Sequence, residues 1–482
     1  MPGVVIAGTY SGCGKTTITL GVLAALKKKG MTVQSFKAGP DFIDTGLHRM
    51  ITGRPSRNLD LWMCGEDYVK ACFHKHSTGV DISVVEGVMG LYDGDFSTAR
   101  LADALNLPVI LIVDAYGMAE SAGAVVKGFM EYQSSSAVEQ QSSSLYHTIA
   151  GVIFNRVASE RHYERLKNSV QDVKVLGYLP RDLNFEIPHR HLGLAVAEEN
   201  PVAGENIERL ADAVLRHIDI EAVIDRRGGG ENLKRLGQPK RITDREAGCL
   251  CFGGRHGRLP RMKRKVLTSA SVAVAYDKAF CFYYEDNLDL LKDSGAEIIK
   301  FSPLHDQAIP EADAVYIGGG YPELYAGELS KNQSMLEAIY NWADSGKPIY
   351  AECGGLMYLS QGIHDFQGNF FRMARVFPFE TQMKNGRSHL GYREVILNDD
   401  CIHGKKGDKL RGHEFHYSEI KPSAFSLQPS ALTTCYSLFD NTGQDLQNEG
   451  YRIENTLASY VHLHFGSNSN ITKTFIDFIK EC

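Results

Sequence analysis

No run of about 18 uninterrupted apolar residues occurs in this 482-residue chain, so no membrane-spanning helix is expected. The opening segment, Met1 to Gly8, lacks a basic n-region and a cleavage site, so no signal peptide is expected either. The ten cysteines are scattered from Cys13 to Cys482, and none forms a CxxC pair. Cys249 and Cys251 make a lone CxC without companion ligands, which argues against a zinc or redox motif. Reduced thiols in a cytoplasmic protein are the simplest expectation. Basic residues do not predominate: 52 Lys and Arg against 58 Asp and Glu leave a formal net charge of −6. That balance argues against a general nucleic-acid binder, which needs a basic surface, but leaves room for local basic pockets.

What is there suffices for two or three ordinary cores, with 43% hydrophobic and 23% charged residues. The first half reads as α/β. Strands are expected at Val4–Ala7, Val33–Phe36, Asp81–Val85, Val109–Val113 and Ile149–Phe154, with a helix over Thr16–Lys28. Continuous β-branched runs alternating with helical stretches predict a parallel sheet covered on both faces. Gln133 to Ser144, rich in Ser and Gln, reads as a solvated loop. The segment 225–268 carries a Gly-Gly-Gly run and many Arg and Lys with little apolar periodicity, and reads as a basic linker. A second α/β pattern follows, with strands at Val272–Tyr276, Glu297–Phe301, Ala314–Ile317 and Pro348–Ala351, and helices at Asn287–Ser294 and Met335–Ser345. The expected organisation is α/β throughout. Two domains, 1–224 and 269–482, each hold a mostly parallel sheet flanked by helices.

Gly8-Thr-Tyr-Ser-Gly12-Cys-Gly14-Lys15-Thr16-Thr17 lies between a strand and a helix, the setting a P-loop needs. The strict spacing is off by one residue, because Thr9 stands at the expected glycine position. Backbone N–H groups from Gly12 through Thr17 and the helix N-terminus can cradle the phosphates of ATP. Lys15 would reach the β/γ-phosphates, and the Thr16 hydroxyl would hold Mg²⁺. Asp41, Asp44, Glu86 and Asp93 follow strands, and in an open parallel sheet ligands bind beyond the strands' carboxyl ends. Asp41 and Glu86 are therefore Mg²⁺ candidates, and Asp44 and Asp93 candidates for the substrate side. Arg181, His189, Arg190 and His191 are either surface charge or a cationic site for an acidic substrate, with His191 the chosen substrate candidate.

Near the other end, Tyr350-Ala-Glu-Cys353-Gly354-Gly-Leu356 has the order strand, sharp turn, helix of a nucleophile elbow. A helix N-terminus is expected to favour the Cys353 thiolate. A base is needed, and Tyr460-Val-His462-Leu-His464 offers two histidines. Gly319, Gly320 and Gly354 can supply oxyanion-hole N–H groups.

Taken together, the chain resembles the cobyrinate a,c-diamide synthases of corrin biosynthesis. The N-terminal part is similar to dethiobiotin-synthetase-like P-loop proteins through Thr9–Thr17, Phe36-Lys-Ala-Gly-Pro-Asp-Phe-Ile-Asp44, Glu86-Gly-Val-Met-Gly-Leu-Tyr-Asp-Gly94 and Arg190–Leu194. The C-terminal part is similar to class I glutaminase domains of the cobyric acid synthase type. The matching runs are Gly318-Gly-Gly-Tyr-Pro-Glu323, Ala351–Gly355, Gly412-His-Glu-Phe-His-Tyr-Ser418 and Tyr460–His464. The resemblance implies that ATP phosphorylates the a- and c-carboxylates of cobyrinate and that ammonia from glutamine displaces phosphate from each acyl phosphate. It also makes His462 the base, while His464, the third catalytic candidate, stands where many class I glutaminases carry a glutamate, so that either His464 or another acid orients His462. Thr45 replaces a usual proline. The partners implied are ATP, L-glutamine and cobyrinate or a related tetrapyrrole, with no nucleic acid or membrane; a homodimer is compatible with the reading.

Neighbouring enzyme readings are the same chemistry on hydrogenobyrinate or nickel sirohydrochlorin, or a cobyric acid synthase. A partitioning-type ATPase carries a second lysine early in the loop, where this chain has Tyr10, and would leave the glutaminase pattern unexplained. A non-catalytic corrinoid-binding regulator is disfavoured by the intact Lys15, Cys353 and His462.

Overall fold

The computed structural model describes residues 2–132, 148–181, 202–225, 270–386, 389–422 and 432–482. The Gln/Ser loop, all but the first residue of the basic linker, and the candidates His189, Arg190 and His191 lie outside these residues.

Seven strands build the first sheet: β1 (Gly3–Gly8), β2 (Val33–Ala38), β3 (Arg57–Leu59), β4 (Ile82–Gly90), β5 (Val109–Asp114), β6 (Ile149–Val157) and β7 (Val175–Pro180). Their order is β3-β2-β4-β1-β5-β6-β7, and every pairing is parallel. Side chains alternate between two cores. Val5, Ala7, Val85 and Leu111 face one, while Val4, Ile6, Val84 and Ile110 face the other. Burial on both faces is what the unbroken β-branched runs encode. The helix Lys15–Lys28 covers the second core with Ile18, Val22 and Leu26. Helix Val202–His217 packs on it so closely that a Cβ at Gly21 would lie 2.6 Å from Val214.

Among the described residues the second sheet has ten strands. Five of them, Ala296–Phe301, Ala270–Ala275, Ala314–Ile317, Ile349–Glu352 and Thr456–Ser459, run parallel, in that spatial order. The remaining five pair antiparallel, so the expected parallel pattern holds around the candidate thiol and gives way beyond it. Among the described residues, no helix connects these antiparallel strands, which need no crossover.

The two sheets meet along a polar and aromatic seam. Arg57 of β3 binds Asp286 (2.9 Å) and Asp289 (2.6 Å), and Arg49 binds Glu285 (2.9 Å) and the Tyr276 hydroxyl (2.8 Å). Buried Asp60 caps the helix Leu61–Ser77 through one carboxylate oxygen and accepts from the Tyr392 hydroxyl through the other (2.6 Å). Trp62, Met63 and Tyr284 fill the seam, with Phe42 and Tyr392 packed against them.

Candidate active site

The carboxyl ends of β1, β2 and β4 bring one cluster together. Gly14 starts the helix Lys15–Lys28 in the left-handed region (φ 97°) and leaves its first turn without a side-chain cap. Only glycine fits there, because a Cβ would lie 2.0 Å from the Asn155 amide. Asn155 in turn donates to the Cys13 carbonyl (3.0 Å) and holds the loop from beneath. The Lys15 ammonium donates to the Tyr10 carbonyl within the same loop (3.3 Å).

Thr16 reaches Glu86 (2.7 Å) and Asp44 (3.5 Å). Both carboxylates are buried and share the Lys37 ammonium, at 3.0 and 2.6 Å. His48 adds a contact to the second oxygen of Glu86 (2.7 Å). Burial opposes charge on Glu86, but Lys37, His48 and Thr16 outweigh it and hold its pKa well below the usual carboxylate range. Burial likewise opposes the Lys37 charge, and Glu86 and Asp44 overcome it, so its pKa is raised. A hydroxyl and two carboxylates form a hard oxygen set of the kind a divalent cation takes beside phosphates. Lys37 offsets part of their negative charge.

Asp41, expected as a metal ligand, engages one carboxylate oxygen in a helix cap. Its Oδ1 accepts from the Ile43 and Asp44 N–H groups (both 2.9 Å), capping the helix Phe42–Thr52. Asp44 therefore joins Thr16 and Glu86, although the sequence placed it on the substrate side. Thr45 uses its hydroxyl on the carbonyls of Asp41 and Phe42, a contact that a proline would not supply. Asp93 is exposed and accepts from the Gly90 N–H (2.7 Å), closing a turn that sits over the loop at Thr9. Arg181 is exposed, with its guanidinium 6.0 Å from the Tyr116 ring.

At the second sheet, Cys353 follows the strand Ile349–Glu352 with φ 48° and ψ −102°. That backbone lies outside the regions where L-residues rest, and such strain persists only when neighbours enforce it. Here the Cys353 N–H bonds the Ser459 carbonyl (2.7 Å), extending the parallel pairing by one residue. The expected thiolate preference does not appear. Burial, with Glu323, Glu352 and Glu414 nearby, raises the Cys353 pKa and outweighs the Gly354 N–H. A base must therefore take the proton.

His462 stands across a glycine gap. A Cβ on Gly319 would lie 2.3 Å from His462 Cε1, so the loop can approach only as glycine. Gly319 is not an oxyanion donor, since its N–H bonds the Phe282 carbonyl (3.2 Å) in an isolated antiparallel bridge. Gly320 and Gly354 remain: a Cβ on Gly354 would lie 3.1 Å from the Gly320 nitrogen, which places both at the elbow.

The acid beside His462 is Glu352, whose Oε2 lies 3.6 Å from Nδ1. Glu352 is buried and accepts from the hydroxyls of Tyr350 (2.5 Å) and Tyr316 (3.1 Å) and from the Leu463 N–H (3.1 Å). His464 is occupied elsewhere. Its Nδ1 accepts from the Gly466 N–H (3.0 Å), and its Nε2 lies 3.9 Å from Asp286. Burial lowers its pKa to about 4, so it is neutral at pH 7.

A cavity of about 570 Å³ opens beside the elbow, with Arg393, Glu414, His416, Glu449 and Tyr460 in its wall. Arg393 grips Glu414 (2.7 and 2.8 Å). Burial first, then Glu414, pushes the Glu449 carboxyl well above its ordinary pKa.

Sequence reasoning missed Lys37, His48, Asn155 and Glu352. Lys37 and Glu352 stood inside quoted motifs, one residue type away from a role. His48 and Asn155 carried no local signal.

A model of the CobQ/CobB/MinD/ParA nucleotide binding domain matches residues 4–194, and one of the CobB/CobQ-like glutamine amidotransferase domain matches 271–470. The chain is 40% identical to the cobyrinate a,c-diamide synthase of Caldanaerobacter subterraneus subsp. tengcongensis, over 98% of this chain and 97% of that one. The enzyme of the same name from Listeria innocua is 40% identical over 97% of each chain, and that of Syntrophotalea carbinolica 41% identical over 99% of each.

Proposed function

The chain belongs to the cobyrinate a,c-diamide synthase family, and on that premise we propose which of its side chains carry the reaction. It is an ATP-dependent, glutamine-hydrolysing ligase of cobalamin biosynthesis, with ATP, glutamine and a tetrapyrrole acid as substrates and a divalent metal alongside the ATP. Among the described residues, no helix is long and apolar enough to cross a membrane.

At the first site, Lys15 and the backbone N–H groups from Gly12 to Thr17 hold the ATP phosphates. Thr16, Glu86 and Asp44 hold the metal, which we take to be Mg²⁺; when bound it neutralises charge on the transferring phosphoryl group. Asp41 fixes the helix that presents Asp44. Lys37 and His48 keep Glu86 ionised and in place. A tetrapyrrole carboxylate then attacks the γ-phosphorus and ADP leaves; ammonia adds to the acyl phosphate formed and expels phosphate to give the amide.

At the second site, His462 removes the Cys353 proton as the sulfur attacks the glutamine carboxamide. Gly320 and Gly354 N–H groups stabilise the oxyanion, and Glu352 stabilises the imidazolium. Ammonia leaves, and water releases glutamate. The cavity at Arg393 and Glu414 offers a cation and carboxylates to the zwitterionic end of glutamine.

We place the synthetase domain at residues 1–224. The packing of Val202–His217 on the P-loop helix supports including that segment. Residues 269–482 form the glutaminase domain.

The observation that carries this reading is the Thr16–Glu86–Asp44 cluster beside Lys15, in a chain that also holds Cys353 at a strained strand-to-helix turn and His462 against Gly319. The test is an assay with cobyrinate, ATP, Mg²⁺ and either glutamine or ammonium. Product masses corresponding to two amides per cobyrinate are expected with both nitrogen sources. Hydrogenobyrinate and nickel sirohydrochlorin run in parallel decide the acid. Absence of any ATP-dependent amide with ammonium would refute the ligase assignment of the P-loop domain.

A further inference from the structure

The helix Phe42–Thr52 belongs to the P-loop domain, yet its first residue lies against the glutaminase base. The Phe42 ring centroid is 5.1 Å from that of His462, 5.5 Å from His413, 4.8 Å from Tyr284 and 5.4 Å from Phe282, the last in a stacked arrangement. His413 stacks on His462 from another side (5.0 Å, 19°). His462, His413 and Phe42 thus form one three-ring cluster, with two rings from the glutaminase side and one from the other domain. Two residues further along the same helix, Asp44 meets Thr16 and Lys37, and one turn on, His48 meets Glu86.

A helix rises about 1.5 Å per residue, so Asp44 lies roughly 3 Å and His48 roughly 9 Å along the axis from Phe42. Eleven residues of one rigid element thus touch both reaction centres. Its first turn is tied by Asp41 and Thr45, which leaves little slack between the ring and the carboxylates.

We propose that Phe42 is the positioning residue that ties glutamine hydrolysis to acid activation. This rests on the two-site ligase reading above. A shift of Asp44 and His48, when nucleotide and metal load the P-loop, moves the Phe42 ring and with it the His462 imidazole. The ring packs on His462 from the P-loop domain's helix. Phe42 touches no reacting atom. It sets how the base is held and when.

The test uses the full chain with Phe42→Ala, Phe42→Leu and Phe42→Tyr, each checked for an unchanged unfolding transition. Glutamate and amide are counted together, with glutamine as nitrogen source, and ammonium-supported amidation is measured separately. In the unaltered protein glutamate and amide should form near one to one, and omitting ATP should slow glutamate release. Phe42→Ala should raise the glutamate-to-amide ratio by roughly threefold or more and make glutamate release indifferent to ATP, through kcat rather than the glutamine KM. Ammonium-supported amidation should stay within about twofold. Phe42→Tyr should restore the coupling. Phe42→Leu should restore bulk but not coupling, and it remains informative if the alanine variant fails to fold. An unchanged one-to-one ratio in both Phe42→Leu and Phe42→Ala, with ATP dependence intact, would overturn the proposal. Failure of the unaltered protein to amidate with ammonium would instead strike the ligase reading on which it rests.

Discussion

At the phosphate site charges meet with their ionisation reinforced. Lys37, Asp44 and Glu86 are all buried, yet each finds an opposite charge within 3.0 Å. At the thiol site burial acts the other way. The Cys353 thiol and the imidazoles of His413 and His464 are all pushed towards their neutral forms, and strain is stored in the Cys353 backbone instead. The difference follows from what each must handle. Phosphates and a metal are ions and need fixed counter-charges, so the cost of desolvation is met once, on folding. Glutamine brings no charge at its reacting carboxamide, so the nucleophile can wait protonated until the substrate and base are aligned.

The contrast is broken most directly by exchanging which site is disabled. Lys15→Ala should lower both glutamine- and ammonium-supported amidation, on the order of 10³-fold. Cys353→Ala should abolish only the glutamine-supported reaction. Ammonium-supported amidation that survives in Lys15→Ala would remove the P-loop from ATP chemistry.

Within the thiol site, Glu352→Gln keeps the shape of the acid but not its charge. Glutamine hydrolysis should fall on the order of 10²-fold in kcat with KM little changed, a smaller loss than for a directly hydrogen-bonded acid because the contact is 3.6 Å. An unaltered kcat would return the role to another group.

Stability sharpens the same comparison. Lys37→Met leaves Asp44 and Glu86 buried beside each other without their cation, and should cost about 3–5 kcal/mol in denaturant unfolding. Tyr350→Phe, which removes one of three donors to Glu352, should cost about 1–2 kcal/mol. Equal effects would mean that charge pairing is no more important in one domain than in the other.

The smallest expected effect is a pH slope from the buried histidines of the glutaminase domain. Burial lowers the pKa of His403 and His416 to about 3 and that of His464 to about 4. An unfolded histidine titrates near 6.5, so below that pH the unfolded chain takes up protons that the folded one refuses. The stability these neutral histidines represent is full above pH 6.5 and is lost as pH falls from there towards 3. His403→Asn should lower the proton uptake on unfolding by about one near pH 5, read from the pH dependence of the unfolding midpoint.

How much of this was legible in the sequence varies with the range of the contact. The P-loop, its flanking strand and helix and the Cys353 elbow were readable because each lies within about a dozen consecutive residues. Glu86 was readable because a buried parallel strand ends beside the P-loop strand whatever the rest does. Asp41 and Asp44 could not be told apart because both follow one strand, and only the helix start, capped by Asp41, brings Asp44 to Thr16 and Lys37. His48 could not be read, since its contact with Glu86 spans 38 positions and depends on the tilt of a helix that no apolar pattern announced. The choice of Glu352 over His464 needed the register between two strands more than a hundred residues apart. The antiparallel half of the second sheet was lost for a simpler reason: its strands are half exposed and alternate weakly.

The seam between the sheets bears on how such a protein could be inherited in pieces. Cut between Asp225 and Ala270, one half would expose Trp62 and Met63 with Asp60 lacking its Tyr392 hydroxyl, and the other would expose Tyr284 with Asp286 lacking Arg57. Each face complements the other, so two separately translated halves would be expected to reassemble in trans. Covalent fusion is then a matter of stoichiometry. Every ammonia-generating site is born with one, and only one, amide-forming site to serve.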